Sequence, residues 1–378
     1  MSSDANNDTD AQQKEDKEVF ADAFDREIDP LAKYEEKFRA VDRDPFDMFL
    51  EDKFGGDSVA KSTRDRYDRI IRQWKAHTEG EGRHPACPNE DHVRGFIRWQ
   101  RDDEGNEPPT IQRKVGVIKS IYDYWASHPS LPHDLDYHPV ERAMERESYG
   151  TQAERDYPHI PLNTLRDHVS DITNIRNRAI VVLQLKTGMR AGEVVNLEVQ
   201  DLAMNNSELN DHFSDLGTNP GLQGPNGYRN NAVYIPNDRD GNKSERPRVI
   251  PLDEEARRAL LDWLLIRPDV DEPHIFLSTH RYLSLYHQDV TKLWKQTLGE
   301  HYPETEDHRA IRSHYGRHRF TTHFKIHKDW PEEQVQWMRG DKLGGSAWQN
   351  SDSIDHYLHV YYEEIESKFR DEIYKLRV

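Results

Sequence analysis

The sequence contains few or none of the features that several classes of protein require. Cys87 is the only cysteine among 378 residues, so the chain forms neither an internal disulfide nor a cysteine zinc cluster. No apolar run reaches the roughly 18 residues of a membrane-spanning helix, and the N-terminal segment MSSDANNDTD lacks the apolar region of a signal peptide. These absences predict a cytoplasmic protein without a membrane partner.

Basic residues are outnumbered as well. The chain has 52 Lys and Arg but 70 Asp and Glu, which gives a net charge of −18. Residues 1–60 alone contain 18 acidic and 8 basic residues. This balance is unusual for a nucleic-acid-binding protein, because contacts with phosphate supply most of its affinity. Arginine nevertheless exceeds lysine by 34 to 18. An acidic surface with little lysine suits a salt-rich cytoplasm, and we hypothesise a halophilic source. Unfolding of the purified protein at low salt would support this hypothesis, and full stability there would contradict it.

The chain divides into four parts by composition and apolar periodicity. Residues 1–44 are polar and acidic, and we expect a partly disordered tail. Residues 45–130 show the apolar spacing of a small helical bundle, and residues 131–157 contain the turn formers and charges of a linker. Residues 158–378 combine helical patterns with two short β-type runs. The predicted fold class is therefore mainly α with a small β-hairpin or sheet (α+β).

Two segments define the expected centre of the second domain. RNRAIVVLQLKTG predicts a buried helix that ends near Gly188. The runs AVYI and RVIPL are separated by PNDRDGNKSERP, which is rich in turn formers, so they predict a hairpin with a long loop. Further helices are predicted for EEARRALLDWLL, DVTKLWKQTL, SHYGRHRFTTHF and the stretch from Asp352 to Leu376.

Arg190 lies in the segment TGMRAGEV, directly after the predicted buried helix. Gly188 permits a tight turn there, so Arg190 would open the next helix in a fixed place. Glu193, three residues later, would hold the guanidinium from one side. Two interpretations stay open at this point. Arg190 is either a phosphate ligand, whose planar fork donates to two oxygens at once, or one half of a structural Arg–Glu pair.

His314 and Arg317 begin another predicted helix, which Ser313 can cap. Their spacing of three residues puts both on one face of the first turn, where free N–H groups and the helix dipole attract anions. An imidazole and a guanidinium in that position would form a phosphate site with a proton carrier.

The same segment contains residues that bind metal in other proteins. Four histidines form two pairs with a spacing of four residues, His314 with His318 and His323 with His327. The second pair follows the first by nine residues, which places the pairs about 180° apart around a straight helix. They cannot share one ion in that arrangement, and we expect no metal site.

Five further residues have a useful chemistry but no local pattern that decides their role. Lys243 lies in the predicted hairpin loop, where it would either face solvent or reach into a site and supply a proton. Arg246 and Arg248 are the alternatives in this loop for contact with phosphate. Trp348 precedes Tyr357 by nine residues, and nothing in the composition distinguishes Tyr357 among the 17 tyrosines.

The order and spacing of these residues over about 160–378 resemble the tyrosine recombinase (phage integrase) family, which includes Xer-type recombinases and archaeal integrases. The family's first arginine lies in a T-G-x-R-x-x-E-x-x-x-L segment, matched here by Thr187, Gly188, Arg190, Glu193 and Leu197.

The later family motifs are matched in the same order. The box H-x-x-R-H corresponds to HYGRH at residues 314–318, and the hairpin lysine ahead of a V-P-L-type strand corresponds to Lys243 ahead of VIPL. The last motif carries a His or Trp nine residues before the nucleophilic tyrosine, which fits Trp348 and Tyr357. Most relatives have a Leu-Gly-His near this motif, whereas this chain reads WMRGDKLGGSAW, so Asp341 can also be aligned with the histidine. We assign the position to Trp348, because its distance to Tyr357 fits.

The resemblance implies a site-specific DNA recombinase or integrase that works through a 3′-phosphotyrosyl intermediate. The tyrosine attacks the scissile phosphate, the two arginines hold its non-bridging oxygens, and the tryptophan donates its indole N–H. The histidine serves as general base, and the lysine protonates the leaving 5′ oxygen. No cofactor and no metal are implied, because the covalent link conserves the bond energy and the arginines offset the phosphate charge. The implied catalytic residues are Arg190, Lys243, His314, Arg317, Trp348 and Tyr357.

The resemblance also implies partners. Double-stranded DNA is the expected substrate, with four identical protomers pairing two duplexes as a homotetramer. The first domain fits the family's helical, SAM-like core-binding domain in position and size. The C-terminal helix would pack either onto a neighbouring protomer or onto its own domain. The candidates for contact with the DNA backbone in the first domain are Lys61, Arg64, Arg69, Arg72, Arg113 and Lys114.

Two other functions are compatible with much of this pattern. One is a DNA-binding regulator that has lost catalysis, although the complete set of catalytic residue types argues against it. The other is a type IB topoisomerase-like nicking-closing enzyme, which shares the phosphotyrosyl chemistry but works as a monomer.

Overall fold

The computed structural model describes residues 19–56, 61–151, 154–341 and 361–378. The chain forms two compact units, which meet in sequence between residues 153 and 154, and each has its own hydrophobic core. Among the helices of these described ranges, none is both long enough and apolar enough to cross a membrane.

The first unit is a helical bundle. Trp74 and Trp125 are its largest fully buried side chains. Their indole N–H groups donate to the carbonyls of Pro85 (3.0 Å) and Pro45 (3.1 Å), so neither polar group is buried without a partner. The helices of this unit are Glu35–Ala40, Pro45–Phe54, Lys61–Gly80, Glu90–Arg98, Pro108–Ser127 and Pro139–Arg146.

The predicted boundaries of the tail and the linker are wrong. Within the expected tail, Leu31 is buried in the core of the first unit. Within the expected linker, the helix Pro139–Arg146 buries Val140 and Ala143 completely. Both segments contain only a few apolar residues among many charges, and apolar periodicity is readable only over windows longer than these.

The second unit has the predicted buried helix, Ile175–Thr187, in its core. Every residue from Ala179 to Thr187 is buried. Gly188 ends the helix in the left-handed conformation (φ 67°), and a Cβ at this position would lie 2.7 Å from the ring of Phe320, so glycine is required on both counts. The other helices are Leu162–Ser170, Ala191–Val195, Ser207–His212, Glu254–Leu264, His287–Trp294, His314–Thr322, Glu332–Arg339 and Tyr361–Glu372.

A small antiparallel sheet contains the predicted hairpin. Strand β1 (Leu202–Ala203) pairs with β4 (Ala232–Ile235), which pairs on its other edge with β5 (Arg248–Pro251). Strands β2 (Gln223–Gly224) and β3 (Gly227–Tyr228) form a separate two-stranded ribbon. The hairpin and the α+β class are therefore confirmed, and residues 236–247 form the long loop between β4 and β5.

Residues 361–378 pack onto their own unit, which is the second of the two arrangements considered for this end of the chain. Phe369 and Leu376 are completely buried. Lys186, which is 1% exposed, donates to the carbonyl of Tyr374 (2.5 Å) and pairs with Asp253 at 2.8 Å. Detaching this segment would expose apolar side chains and leave a buried ammonium short of a hydrogen-bond partner.

Candidate active site

Arg190 is the first of two arginines that meet at one carboxylate. It is the N-cap residue of the helix Ala191–Val195, as predicted, and its backbone N–H donates to Glu193 (2.8 Å). Its guanidinium Nη1 contacts Glu193 (3.3 Å) and the carbonyl of Arg339 (3.4 Å). The other terminal nitrogen, Nη2, donates to Oδ1 of Asp341 (2.7 Å). The side chain is thus fixed at several points, with Nη2 directed at an anion.

Arg317 reaches the same carboxylate from the helix His314–Thr322. Its Nη1 donates to the carbonyls of Gly188 (3.1 Å) and Arg339 (2.7 Å), and its Nη2 donates to Oδ1 of Asp341. The residue is 1% exposed. Burial, together with the positive charge of the two neighbouring arginines, lowers the pKa of Arg317 to about 9. The site therefore contains more positive than negative charge and is suited to an anion.

A cavity of about 210 Å³ lies beside Arg317. His314 and Arg317 both line it, in agreement with the predicted common face. Four arginines and two histidines face this cavity, with Asp156 as the one acidic residue among its described lining residues. Burial and the nearby arginines lower the pKa of His314, so its imidazole is neutral near pH 7 and able to accept a proton.

The expectation that Ser313 caps the helix at His314 is wrong. The helix does begin at His314, but Ser313 itself has helical angles (φ −49°, ψ −28°) and its side chain accepts no hydrogen bond from the first turn. Its hydroxyl lies 3.4 Å from that of Thr291 instead. The N–H groups of the first turn are therefore not occupied by this serine.

A buried ion pair between Arg248 and Glu193 lies behind Arg190. Both side chains are fully buried, and the guanidinium contacts the two carboxylate oxygens at 2.8 and 3.2 Å. Arg248 also donates to the carbonyl of Met338 (2.8 Å) and to the hydroxyl of Ser244 (2.8 Å), which itself donates to Glu193. Burial alone would raise the pKa of Glu193, but Arg248 and these hydrogen bonds lower it to about 2. Arg248 is thus committed to this pair, and its alternative role as a phosphate ligand is wrong.

The loop between β4 and β5 is anchored on both sides of Lys243. The Asn242 side chain donates to the carbonyl of Pro236 (2.6 Å) and accepts from Asn196 (2.9 Å), and Ser244 is part of the buried pair just described. Lys243 itself is exposed, and its ammonium has no hydrogen bond or ion pair within the part of the chain that the structure describes. The backbone of the loop is therefore held in place, whereas the exposed side chain of Lys243 is free to change its rotamer.

The family model described as the phage integrase family matches residues 161–364, which is more than half of the chain. The chain belongs to the phage integrase family, that of the tyrosine recombinases. Among its relatives is the tyrosine recombinase XerD of Listeria monocytogenes, which is 22% identical over 61% of this chain and 66% of XerD. The chain spans 18–66% of the length of the curated relatives that it matches.

Two solved structures show the same fold as this phage integrase family chain. A lambda integrase dimer bound to a COC′ core site is 12% identical, with a TM-score of 0.54, over 84% of this chain and 94% of that one. The Tn1549 transposon integrase in complex with transposon right end DNA is 14% identical, with a TM-score of 0.56, over 83% of this chain and 98% of that one.

Asp341 is the residue of this integrase-family site that sequence reasoning set aside. Its Oδ1 accepts from both Arg190 and Arg317, and its Oδ2 lies 2.9 Å from Nε of Arg339. The available signal was its place in the segment MRGD near the last motif, which allows it to be aligned with the histidine of that motif. The spacing to Tyr357 favoured a different residue, Trp348, and both of these lie outside the described residues.

The six basic candidates of the first unit differ in exposure. Five are exposed, whereas Lys114 is partly buried, donates to Gln100, and has a pKa lowered by burial. On the helix Lys61–Gly80, the four candidates span an arc of about 140° at 100° per residue, opposite the buried Trp74. Asp65 and Asp68 fall within the same arc, so the net positive charge of this surface is modest. The five exposed candidates are Lys61, Arg64, Arg69, Arg72 and Arg113.

The described residues contain two groups of potential metal ligands. The first group is the four histidines around residue 320. Among them, His323 forms a hydrogen bond with the carbonyl of Glu372 (2.8 Å) and so joins two segments of the core. In the first unit, Asp123, His138 and Glu141 have ligand atoms within 4.8 Å of one another. The ammonium of Lys119 pairs with both carboxylates there (3.0 and 2.9 Å), which disfavours a second cation in the same place.

Proposed function

We propose that the chain is a site-specific DNA recombinase or integrase that breaks and rejoins strands through a 3′-phosphotyrosyl intermediate. One observation carries this proposal: Arg190 and Arg317, from two different helices, both donate to a single anionic oxygen. A non-bridging oxygen of a phosphodiester is a ligand of the same kind. Membership of the phage integrase family and the fold shared with the lambda and Tn1549 integrases support the same reaction.

In the proposed reaction, the Tyr357 hydroxyl attacks the scissile phosphorus and passes its proton to His314. The new Tyr–O–P bond replaces the P–O5′ bond. The 5′ oxygen leaves with a proton from Lys243, and a 5′-hydroxyl of the partner strand later reverses the step. Trp348 would donate its indole N–H to the phosphate.

The two arginines would stabilise the charge that develops on the phosphate in this reaction. Arg317 suits the task because its three hydrogen bonds and its burial hold it in place before DNA arrives, so little reorganisation is needed. The bond energy is kept in the phosphotyrosyl link, so the proposal includes no ATP. It includes no metal either, because the arginines offset the phosphate charge.

The proposed substrate is double-stranded DNA, bound by a homotetramer. Exposed basic residues on the helix Lys61–Gly80 would contact the DNA backbone of one duplex. The halophilic, archaeal source and the cytoplasmic location stay predictions. The net charge of −18 and the excess of arginine over lysine support the first of them.

The test is a covalent-complex assay with the full chain. The protein is incubated at high salt with EDTA and nicked DNA from its own genomic neighbourhood, and the product is run on a denaturing gel. We expect a slower band for the natural chain and no such band for Tyr357→Phe, because the phenyl ring lacks the nucleophilic oxygen. Tyr361→Phe is the control and should retain the band. A band that survives in Tyr357→Phe would assign the nucleophile to another tyrosine. Absence of the band in both, with DNA binding intact, would favour a DNA-binding regulator.

The role of Lys243 can be tested through the leaving group. Lys243→Ala should slow cleavage of ordinary DNA by about 10²–10⁴-fold, the usual contribution of a general acid. A substrate with sulfur in place of the bridging 5′ oxygen should restore the rate, because a thiolate leaves without a proton. Arg246→Ala is the matched control in the same loop, since a guanidinium is not a proton donor near pH 7, and any defect should be equal on both substrates. Equal defects in Lys243→Ala would remove the lysine from this role.

A further inference from the structure

Three guanidiniums from separate parts of the second unit contact the carboxylate of Asp341. Oδ1 accepts from Nη2 of both Arg190 (2.7 Å) and Arg317, and Oδ2 lies 2.9 Å from Nε of Arg339. The contacts from Arg190 and Arg317 are charge-assisted hydrogen bonds, and the contact from Arg339 adds an ion pair. Asp341 is thus the anion around which the arginine pair is organised.

The Nη1 groups of both arginines are already occupied. Nη1 of Arg317 donates to two carbonyls, and Nη1 of Arg190 contacts Glu193 and a carbonyl. The two Nη2 groups are the donors that meet at a common point, and Oδ1 of Asp341 occupies that point. A phosphate oxygen shared by the two Nη2 groups would take the same position.

The backbone before Asp341 fixes where its side chain begins. Gly340 ends the helix Glu332–Arg339 in the left-handed conformation (φ 66°). A Cβ on Gly340 would lie 2.5 Å from the Arg248 guanidinium and 2.8 Å from the Ser244 hydroxyl. The backbone of Gly340 therefore lies in close contact with the buried ion pair. Glycine is required for the turn that brings Asp341 to the arginines.

The two sides of the contact differ in their freedom to move. Arg317 is 1% exposed, whereas the Asp341 side chain is 23% exposed. The carboxylate can rotate toward water and be hydrated there, but the buried guanidinium has no comparable alternative. An arriving anion would therefore displace the carboxylate and not the arginine.

We propose that Asp341 holds the position of a phosphate oxygen between Arg190 and Arg317 until DNA binds, and that the scissile phosphate then replaces it. This inference rests on the proposed function for the identity of the anion. It gives the carboxylate two effects, since it stabilises the arginine pair when the site is empty and competes with phosphate for the same donors.

Inorganic phosphate is the probe that tests this exchange, by titration calorimetry and by thermal unfolding at constant chloride concentration. The variants are Asp341→Asn, which removes the charge, and Asp341→Ser, which also frees space and serves if the first variant does not fold. We expect Asp341→Asn to bind phosphate at least about tenfold more tightly than the natural chain, the equivalent of one charge-assisted hydrogen bond. Its unfolding temperature should be lower without phosphate and should rise more steeply with phosphate.

Two matched variants make this result specific. Glu254→Gln removes an exposed carboxylate of the same unit, which pairs with Arg257, and this variant should behave as the natural chain does. Adding Arg317→Lys to Asp341→Asn should abolish the gain in phosphate affinity. A gain that persists in this double variant would place the phosphate elsewhere and overturn the proposal.

Unchanged or weaker phosphate binding by both Asp341 variants would also overturn the proposal and make Asp341 a positioning residue for the arginines. This measurement involves no DNA cleavage, so it can be distinguished from failure of the proposed function. Suppose that the Asp341 variants bind phosphate more tightly but the natural chain forms no covalent DNA complex. The exchange of Asp341 for phosphate would then stand, and the proposed recombinase function would be rejected.

Discussion

Replacing Arg317 by lysine is expected to slow formation of the covalent DNA complex by about 10²–10³-fold, the cost of losing one preorganised donor to a developing oxyanion. Arg317 makes three hydrogen bonds with two nitrogens, and its orientation depends on the rigid plane of the guanidinium. An ammonium is a point charge on a flexible chain, so lysine cannot hold the Gly188 and Arg339 carbonyls and present a donor to phosphate at the same time.

The measurement is the single-turnover rate of covalent-complex formation with saturating nicked DNA, so that weaker binding does not enter the rate. Arg319→Lys is the matched control on the same helix. Arg319 is also buried (9% exposed) and donates to the carbonyl of Ile160 (3.3 Å), but it does not line the cavity. Both variants should lose some thermal stability, and only Arg317→Lys should lose the rate. A rate for Arg317→Lys within tenfold of the natural chain would contradict its role as a phosphate ligand.

Replacing Arg248 by methionine is expected to lower the free energy of unfolding by about 3–5 kcal/mol, because it leaves the buried charge of Glu193 without its partner. Methionine fills much of the same volume, so the loss reports mainly on the charge. The low pKa of Glu193, about 2 against an ordinary value of 4.5, means that the carboxylate stabilises the fold above pH 4.5 and that this stabilisation declines as the pH falls toward 2.

A double variant separates the structural role of this pair from its proposed role in positioning Arg190. Arg248→Met with Glu193→Leu removes both charges together, and most of the lost stability should return, because the desolvation cost of the ion pair disappears as well. The cleavage rate should not return, since Arg190 loses the carboxylate that holds its backbone N–H and its Nη1. Chemical denaturation and the covalent-complex assay, run on the natural chain and on both variants, give both quantities. If stability and rate recovered together, Glu193 would have no part in positioning Arg190.

Short sequence motifs predicted the candidate site residues of the second unit whose placement depends on local backbone geometry. Gly188 ends a buried helix in the left-handed conformation, and this places Arg190 at the start of the next helix wherever that pair of elements lies. Likewise, a spacing of three residues puts His314 and Arg317 on one face of a helix in any fold. These relations hold over a few residues, so the sequence alone specifies them.

The packing of the charge-rich segments of the first unit could not be predicted from the sequence. The sequence predicts a linker where the helix Pro139–Arg146 forms, because three buried residues among many charges give too weak a periodic signal. Likewise, Arg248 could be distinguished from a solvent-facing loop arginine only after the fold had buried it against Glu193. The cost of burying an unpaired charge makes such partners obligatory, but it does not reveal from the sequence which partner is used.

The amino-acid sequence by itself determined the family, the α+β class, the central helix with its glycine end, the hairpin, and the types of residue that the proposed reaction needs. Tertiary structure alone decided that Asp341 lies between Arg190 and Arg317, which are separated from it by 151 and 24 positions along the chain. The same holds for the loop of Lys243, which is anchored against Asn196 and the buried ion pair. The physical reason is common to both cases. Local geometry fixes where a side chain starts, but the pairing of charges across distant segments depends on which of them the core brings together and removes from water.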